Sequence, residues 1–338
     1  MSTPGTSVKG PIADLSYRNY DGPLNPPAAR WWAIARMSIR LSLKKKGFWI
    51  ASVISGYWYL VLMAVFYFVD TLSQQRLMDD GRNPFIAAIK WKDQFIHGYS
   101  FGQLLFLVVA LLIATGSIAN DNRANALLVY LSKPCTRLDY VIGKWFGVFV
   151  PLTLVAFAPM AFFWLYGALS FREYGFLTTD PLMLPKLALV AMSGAAIHAS
   201  LALGISSLFN QARVAGATYA GIYFLSSFFT KAMQVVHGSF IWEGERVPAM
   251  VDRLFYASID GVNIAMAKLI LGTSGSPLFQ GGINGGRNFG PNRPAGAPAQ
   301  SDFIVPSPPL ELFLPIFLAL VAGGIWLAWS RVRAVEVV

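Results

Sequence analysis

Cysteine is nearly missing from this chain: Cys135 is the single one in 338 residues, which excludes a disulfide framework within the chain. Histidine is almost as scarce. His97, His198 and His237 lie far apart, so no His/Cys spacing of the kind that holds a metal is present. Charged residues make up only 13% of the sequence, about half the usual share in soluble proteins. Enzymatic signatures are missing as well. Gly143-Lys144 is followed by Trp145 and lacks the earlier glycine of a phosphate-binding loop, and neither H-E-x-x-H nor G-x-S-x-G occurs. The chain is therefore not expected to be an enzyme, to bind a cofactor or metal, or to hydrolyse ATP itself.

What is present is apolar. Hydrophobic residues make up 55% of the chain and mean hydropathy is +0.51. Several separate apolar runs reach about twenty residues, the length an α-helix needs to cross roughly 30 Å of hydrocarbon. The expected fold is all-α, a polytopic membrane protein with about six spans near 48–69, 99–119, 146–169, 187–208, 214–236 and 311–330. The third contains Pro151 and Pro159, which remove backbone donors and predict a bent helix. Residues 1–30 read as a flexible N-terminus. Residues 272–309, rich in Gly, Pro and Asn, read as a flexible loop within a membrane domain that runs from 47 to 338. Residues 254–271 have the length of one or two short helices.

The net charge of +10 raises nucleic acid as a partner, but its placement argues for a membrane instead. With the N-terminus inside, the cytoplasmic pieces 1–47, 120–146, 209–213 and 331–338 hold 15 Lys/Arg and 5 Asp/Glu, an excess equal to the whole net charge. That is the positive-inside pattern, with both termini cytoplasmic. Lys44, Lys45 and Lys46 immediately precede the first apolar run. Upstream, Trp31, Trp32, Ala35, Ile39 and Leu43 share one side of a helical wheel, with Arg36, Arg40 and Lys44 beside it. Residues 31–46 thus read as a basic interfacial helix on the inner leaflet, a role that a solvated basic tail also fills. Glu173, Glu243 and Glu245 fall in predicted loops and carry no chemistry. Lys231, within the fifth span, is either a pathway-lining charge or a snorkelling one.

The most informative stretch is 118–147, IANDNRANALLVYLSKPCTRLDYVIGKWFG. Asn120 or Asp121 is a candidate helix cap, followed by Ala124, Leu127, Leu128 and Leu131 at three- and four-residue spacing. Pro134 ends that segment. Thr136 and Asp139 have capping-box spacing and restart a helix that runs through Gly143. An ordinary helical hairpin connection would carry the same pattern.

These residues resemble the signature of permease subunits of the type-2 ATP-binding-cassette (ABC) exporter family. Ile118-Ala119 opens it, Asp121 supplies the acid and 127–131 the leucine run; Ser132-x-Pro134-x-Thr136-Arg137 follows, and Gly143-Lys144 closes it. Asn125-Ala126 replaces the family's Gly-Thr. A weaker echo is Leu203-Gly204-Ile205-Ser206-Ser207-Leu208-Phe209 with Arg213. The resemblance implies an exporter permease in the cell (inner or plasma) membrane that pairs with a second permease subunit, identical or related, and with separate ATPase subunits carrying the ATP. It further implies that Asp121, Arg123, Lys133, Pro134, Arg137, Gly143 and Lys144 form the ATPase-coupling loop. Ala212, Gly216 and Ala220 form a small-residue stripe suited to close helix packing, within one subunit or between two, as does Gly98-x-x-x-Gly102. An ATP-independent secondary transporter or channel is the alternative; it would need charges inside several spans. A membrane enzyme or anchor would need a polar cluster near one interface, which the sequence does not display.

Overall fold

The computed structural model describes residues 30–76, 84–126, 135–276 and 304–332, and these are helical with no strand among them. In chain order the helices are α1 (Arg30–Leu43), α2 (Lys46–Ser55), α3 (Tyr57–Arg76), α4 (Pro84–Ala87), α5 (Trp91–Arg123), α6 (Arg137–Ser170), α7 (Phe176–Thr179), α8 (Met183–Ser206), α9 (Ala212–Glu243), α10 (Ala249–Leu254), α11 (Ile259–Leu271) and α12 (Leu310–Arg331). Lys133, Pro134, the leucine run at 127–131, residues 1–29 and most of 272–309 lie outside the described residues.

Among the described residues five helical stretches are long and apolar enough to cross a membrane: Lys46–Leu72 (α2 with α3), α5, α6, α8 and α12. The chain is a multi-pass membrane protein. α9 covers the expected fifth span and has 32 residues, but Tyr219, Tyr223, Ser226, Ser227, Thr230, Lys231 and Gln234 dilute its apolarity, and it is not among the five. Each expected span lies on a helix, yet α5 and α6, with 33 and 34 residues, are about 50 Å long at 1.5 Å per residue. They outreach the hydrocarbon. We call the end where α5 stops and α6 starts the junction end, and the Trp91 end of α5 the far end.

α8 is the hub, with 78% of its apolar window buried. Its small side chains explain why. Gly204 meets Gly324 of α12 so closely that a Cβ on Gly204 would stand 2.7 Å from the Gly324 carbonyl oxygen, so the two backbones touch, as small residues permit in lipid. α6 is continuous through Pro151 and Pro159, and Pro159 packs against Gly56, where α2 gives way to α3. Gly98 and Gly102 pack inside the chain, against Tyr59 and the Ser55 carbonyl.

α11 is a short helix within the anticipated stretch 254–271, and α10 lies just before it, sharing only Leu254 with that stretch. Asn263 Nδ2 of α11 donates to Gln103 Oε1 at 3.1 Å, and Gln103 lies about 18 Å along α5 from Trp91 at 1.5 Å per residue. Past the other end of α11, Thr273 donates to Asp93, at the far end of α5. α11 thus starts at depth and returns to the far end.

Candidate functional site: the junction between α5 and α6

Two helix ends and an entry helix build this site. Thr136 caps α6 as its spacing foretold: its side chain accepts from the Asp139 backbone N–H at 3.1 Å, and Asp139 Oδ2 accepts from the Thr136 N–H at 3.0 Å. The cap expected at Asn120 or Asp121 does not form. α5 runs unbroken through both to Arg123, and the turn comes at Asn125, whose φ of 50° is left-handed, a conformation that asparagine tolerates better than most residues. The segment 115–123 is rich in poor helix formers, Gly116, Asn120, Asp121 and Asn122 among them, and it is the contacts of Ile118, Ala119 and Asn122 with the end of α8 that outweigh the local capping signal.

Inside the junction, Lys144 Nζ lies 2.7 Å from Asp121 Oδ2 and donates to the Ser117 carbonyl at 2.9 Å. The Tyr140 hydroxyl donates to the same Asp121 oxygen at 2.7 Å. Both charged side chains are well covered, at 9% and 19% exposure. Asp121 and Lys144 therefore clasp α5 to α6 rather than standing free for another protein. A buried pair of this kind is held by geometry: removing one member strands the other. Arg123, Arg137 and Leu138 remain exposed around the clasp. Cys135 is half-buried beside them, its thiol pKa pushed up by burial and by Asp139, against the pull of Arg30.

Gly143 has a structural reason to be glycine. A Cβ there would lie 2.6 Å from the Trp31 carbonyl oxygen and 2.7 Å from Ile34 Cβ, and one on Gly147 would lie 2.3 Å from Ser38 Cβ. The Gly143-x-x-x-Gly147 face is the seat on which α1 rests. α1 consequently buries Ala35 and Ser42 and turns Trp31, Ile34 and Ser38 toward α6, with Trp31 against Phe146 at 5.1 Å between ring centroids. Trp32 and Leu43, expected on the same apolar side, are exposed instead, because the packed stripe follows α6 and not the most hydrophobic arc.

The segment 203–209, a faint echo in sequence, adjoins the junction. The Ser206 hydroxyl donates to the Thr115 carbonyl at 2.6 Å and accepts from the N–H groups of Ile118 and Ala119 at 3.2 and 3.0 Å. It thus enters the hydrogen-bond ladder of α5 just before the clasp. Asn122 Nδ2 reaches the carbonyls of Ser207 and Phe209 at 3.4 and 3.3 Å. On α9, Ala212 and Gly216 face Gly116 and Thr115 of α5, so this part of the small-residue stripe packs within the chain.

A second polar assembly lies deeper, and nothing in the sequence spacing announced it. Tyr219 of α9, His198 of α8, Asn263 of α11 and Gln103 of α5 form one hydrogen-bonded row: Tyr219 hydroxyl to His198 Nδ1 at 2.7 Å, His198 Nε2 to Asn263 Nδ2 at 3.2 Å, and Asn263 to Gln103. All four are buried. With the Asn263 amide so oriented, His198 Nε2 accepts, and Nδ1–H donates to Tyr219. The available signal was a lone histidine and a lone glutamine inside apolar runs.

Residues 32–261 match the family model described as ABC-2 family transporter protein. Among curated proteins none matches the sequence.

Proposed function

The chain belongs to the ABC-2 transporter family, which makes it a membrane permease subunit of an ABC transporter, and on that premise we propose that it is an exporter driven by an ATP-binding-cassette ATPase docked at the junction end. The observation that carries this is the Asp121–Lys144 clasp, which ties together the two helix ends flanking the 126–136 connection while Arg123, Arg137 and Leu138 stay exposed beside it. An ATPase gripping that connection, Lys133 and Pro134 included, moves the ends of α5 and α6 as one body. α1 follows through Gly143 and Gly147, and α8 through Ser206. ATP stays on the partner and this chain binds no cofactor. The junction end is cytoplasmic, α9 is the sixth span, the membrane is the cell membrane, and a second permease subunit completes the pathway.

The test is purification from native membranes in mild detergent. An ATPase subunit is expected to co-purify, and Arg123→Glu with Arg137→Glu is expected to weaken its retention roughly tenfold by loss of rim charge complementarity. Preparations free of ATPase, together with charge reversals that change nothing, would falsify the docking assignment.

A further inference from the structure

Asp260 stands in the first turn of α11, just before Asn263 and farther than it from the far end, toward which α11 runs. Ser227 of α9 donates to its Oδ1 at 2.9 Å. Among the described residues no Lys or Arg nitrogen lies within 4.0 Å of this carboxylate. It is also only half-buried, so it is reached from the surface of the bundle. A charge at this depth is costly without a counter-ion. The surroundings are aromatic. Phe224, Ser227, Phe228 and Lys231 occupy adjoining positions on one face of α9, with Phe224 54% and Phe228 75% exposed, and the Tyr223 ring lies 5.8 Å from that of Phe224. Lys231 is the one cation on this face, and its amine lies 3.5 Å from Gln234 Oε1 instead of pairing with Asp260.

We propose that Asp260 and Ser227, flanked by Phe224 and Phe228, bind the positively charged head of an amphipathic organic cation arriving laterally from the hydrocarbon. The carboxylate supplies the counter-charge, the exposed rings supply apolar contact and cation–π attraction, and the lipid-depth position selects a ligand with an apolar body. This deepens the permease assignment by naming a class of cargo, and it rests on that assignment only for its physiological meaning.

The test is equilibrium binding of radiolabelled tetraphenylphosphonium to the full chain in phosphatidylcholine nanodiscs, with triphenylphosphine oxide as the neutral comparison. Saturable binding of the cation alone is expected. It should weaken roughly tenfold or more in Asp260→Asn and severalfold in Ser227→Ala, as loss of a desolvated charge partner predicts. Asp252→Asn, whose side chain meets His237 instead, should bind as the wild type does. Lys231→Met should bind the cation more tightly, since a competing charge is gone. The proposal is overturned by an absence of saturable binding in the wild type, by undiminished binding in Asp260→Asn, by equal binding of the neutral compound, or by weaker binding in Lys231→Met, which would make Lys231 part of the site. No ATPase is needed, so failure here leaves the docking assignment intact, and failure of docking leaves this one intact.

Discussion

At the scale of single residues, the junction shows how a charge changes meaning once its neighbour is known. Asp121 and Lys144 are separated in sequence by the whole connection, and each alone reads as a surface charge waiting for a partner. In the folded chain they partner each other at 2.7 Å, with Tyr140 on the same oxygen. Either single substitution, Asp121→Ala or Lys144→Ala, should cost about 2–4 kcal/mol, because it leaves an opposite charge covered and unpaired. The double substitution should cost less than the two singles together, by about 1–3 kcal/mol. Pulse proteolysis of the four proteins in one detergent closes that cycle; strict additivity would mean that the two side chains do not interact. Arg123 and Arg137, exposed and with no such tie among the described residues, should be near-neutral for stability. That separates the residues that hold the junction from those offered to another protein.

At the scale of helices, hydrophobic run length located the five described stretches long and apolar enough to cross, because bilayer thickness sets that length. What it missed follows from the same physics. Runs report where hydrocarbon begins, not where a helix ends, so the start of α5 at Trp91 and its continuity through Asn120 and Asp121 were invisible. The Thr136–Asp139 box was legible because both partners lie within one turn. The His198–Asn263–Gln103 row was not, because its members come from three helices and each carries only one polar group. The seat of α1 was half-legible: Gly143 stood out in the motif, but Gly147 gains its meaning only from Ser38 across the interface. The far end is tied by another contact between elements. Asp180, between α7 and α8, takes Lys186 at 2.6 Å and Lys92 of α5 at 2.9 Å. These hydrogen bonds, that of Lys186 foremost, hold its carboxyl down at about 2. A depressed folded value means that the tie contributes fully above the ordinary carboxylate range, near 3.8, and is lost as pH falls toward 2. Apparent Tm of the wild type should therefore fall more between pH 5 and pH 2.5 than that of Asp180→Asn; equal falls would remove this triad as the cause.

At the scale of the whole molecule, topology depends on α9. Among the described residues five helical stretches meet the length and apolarity a span requires, and an odd number would put the termini on opposite sides. α9 starts beside Thr115 and Gly116 at the junction end, and its 32 residues give a length of about 48 Å at 1.5 Å per residue, enough to cross. Several of its polar side chains are not left facing lipid: Tyr219, Tyr223 and Thr230 are buried, and Tyr219 is bonded to His198, whereas Lys231 and Gln234 are exposed. Lowered hydropathy in the half of α9 that starts at the junction end thus reflects internal packing, since polar groups within a bundle are tolerated when they find partners, as Tyr219 does in His198. The Lys/Arg excess on the segments adjoining the junction end points the same way. Both termini should consequently lie in the cytoplasm. A green fluorescent protein fused after Val338 should fluoresce, an alkaline phosphatase at the same point should be inactive, and an N-terminal epitope tag should resist protease added to intact cells. An active C-terminal phosphatase beside a protected N-terminal tag would instead mean five crossings, with α9 packed along the bundle without traversing the bilayer.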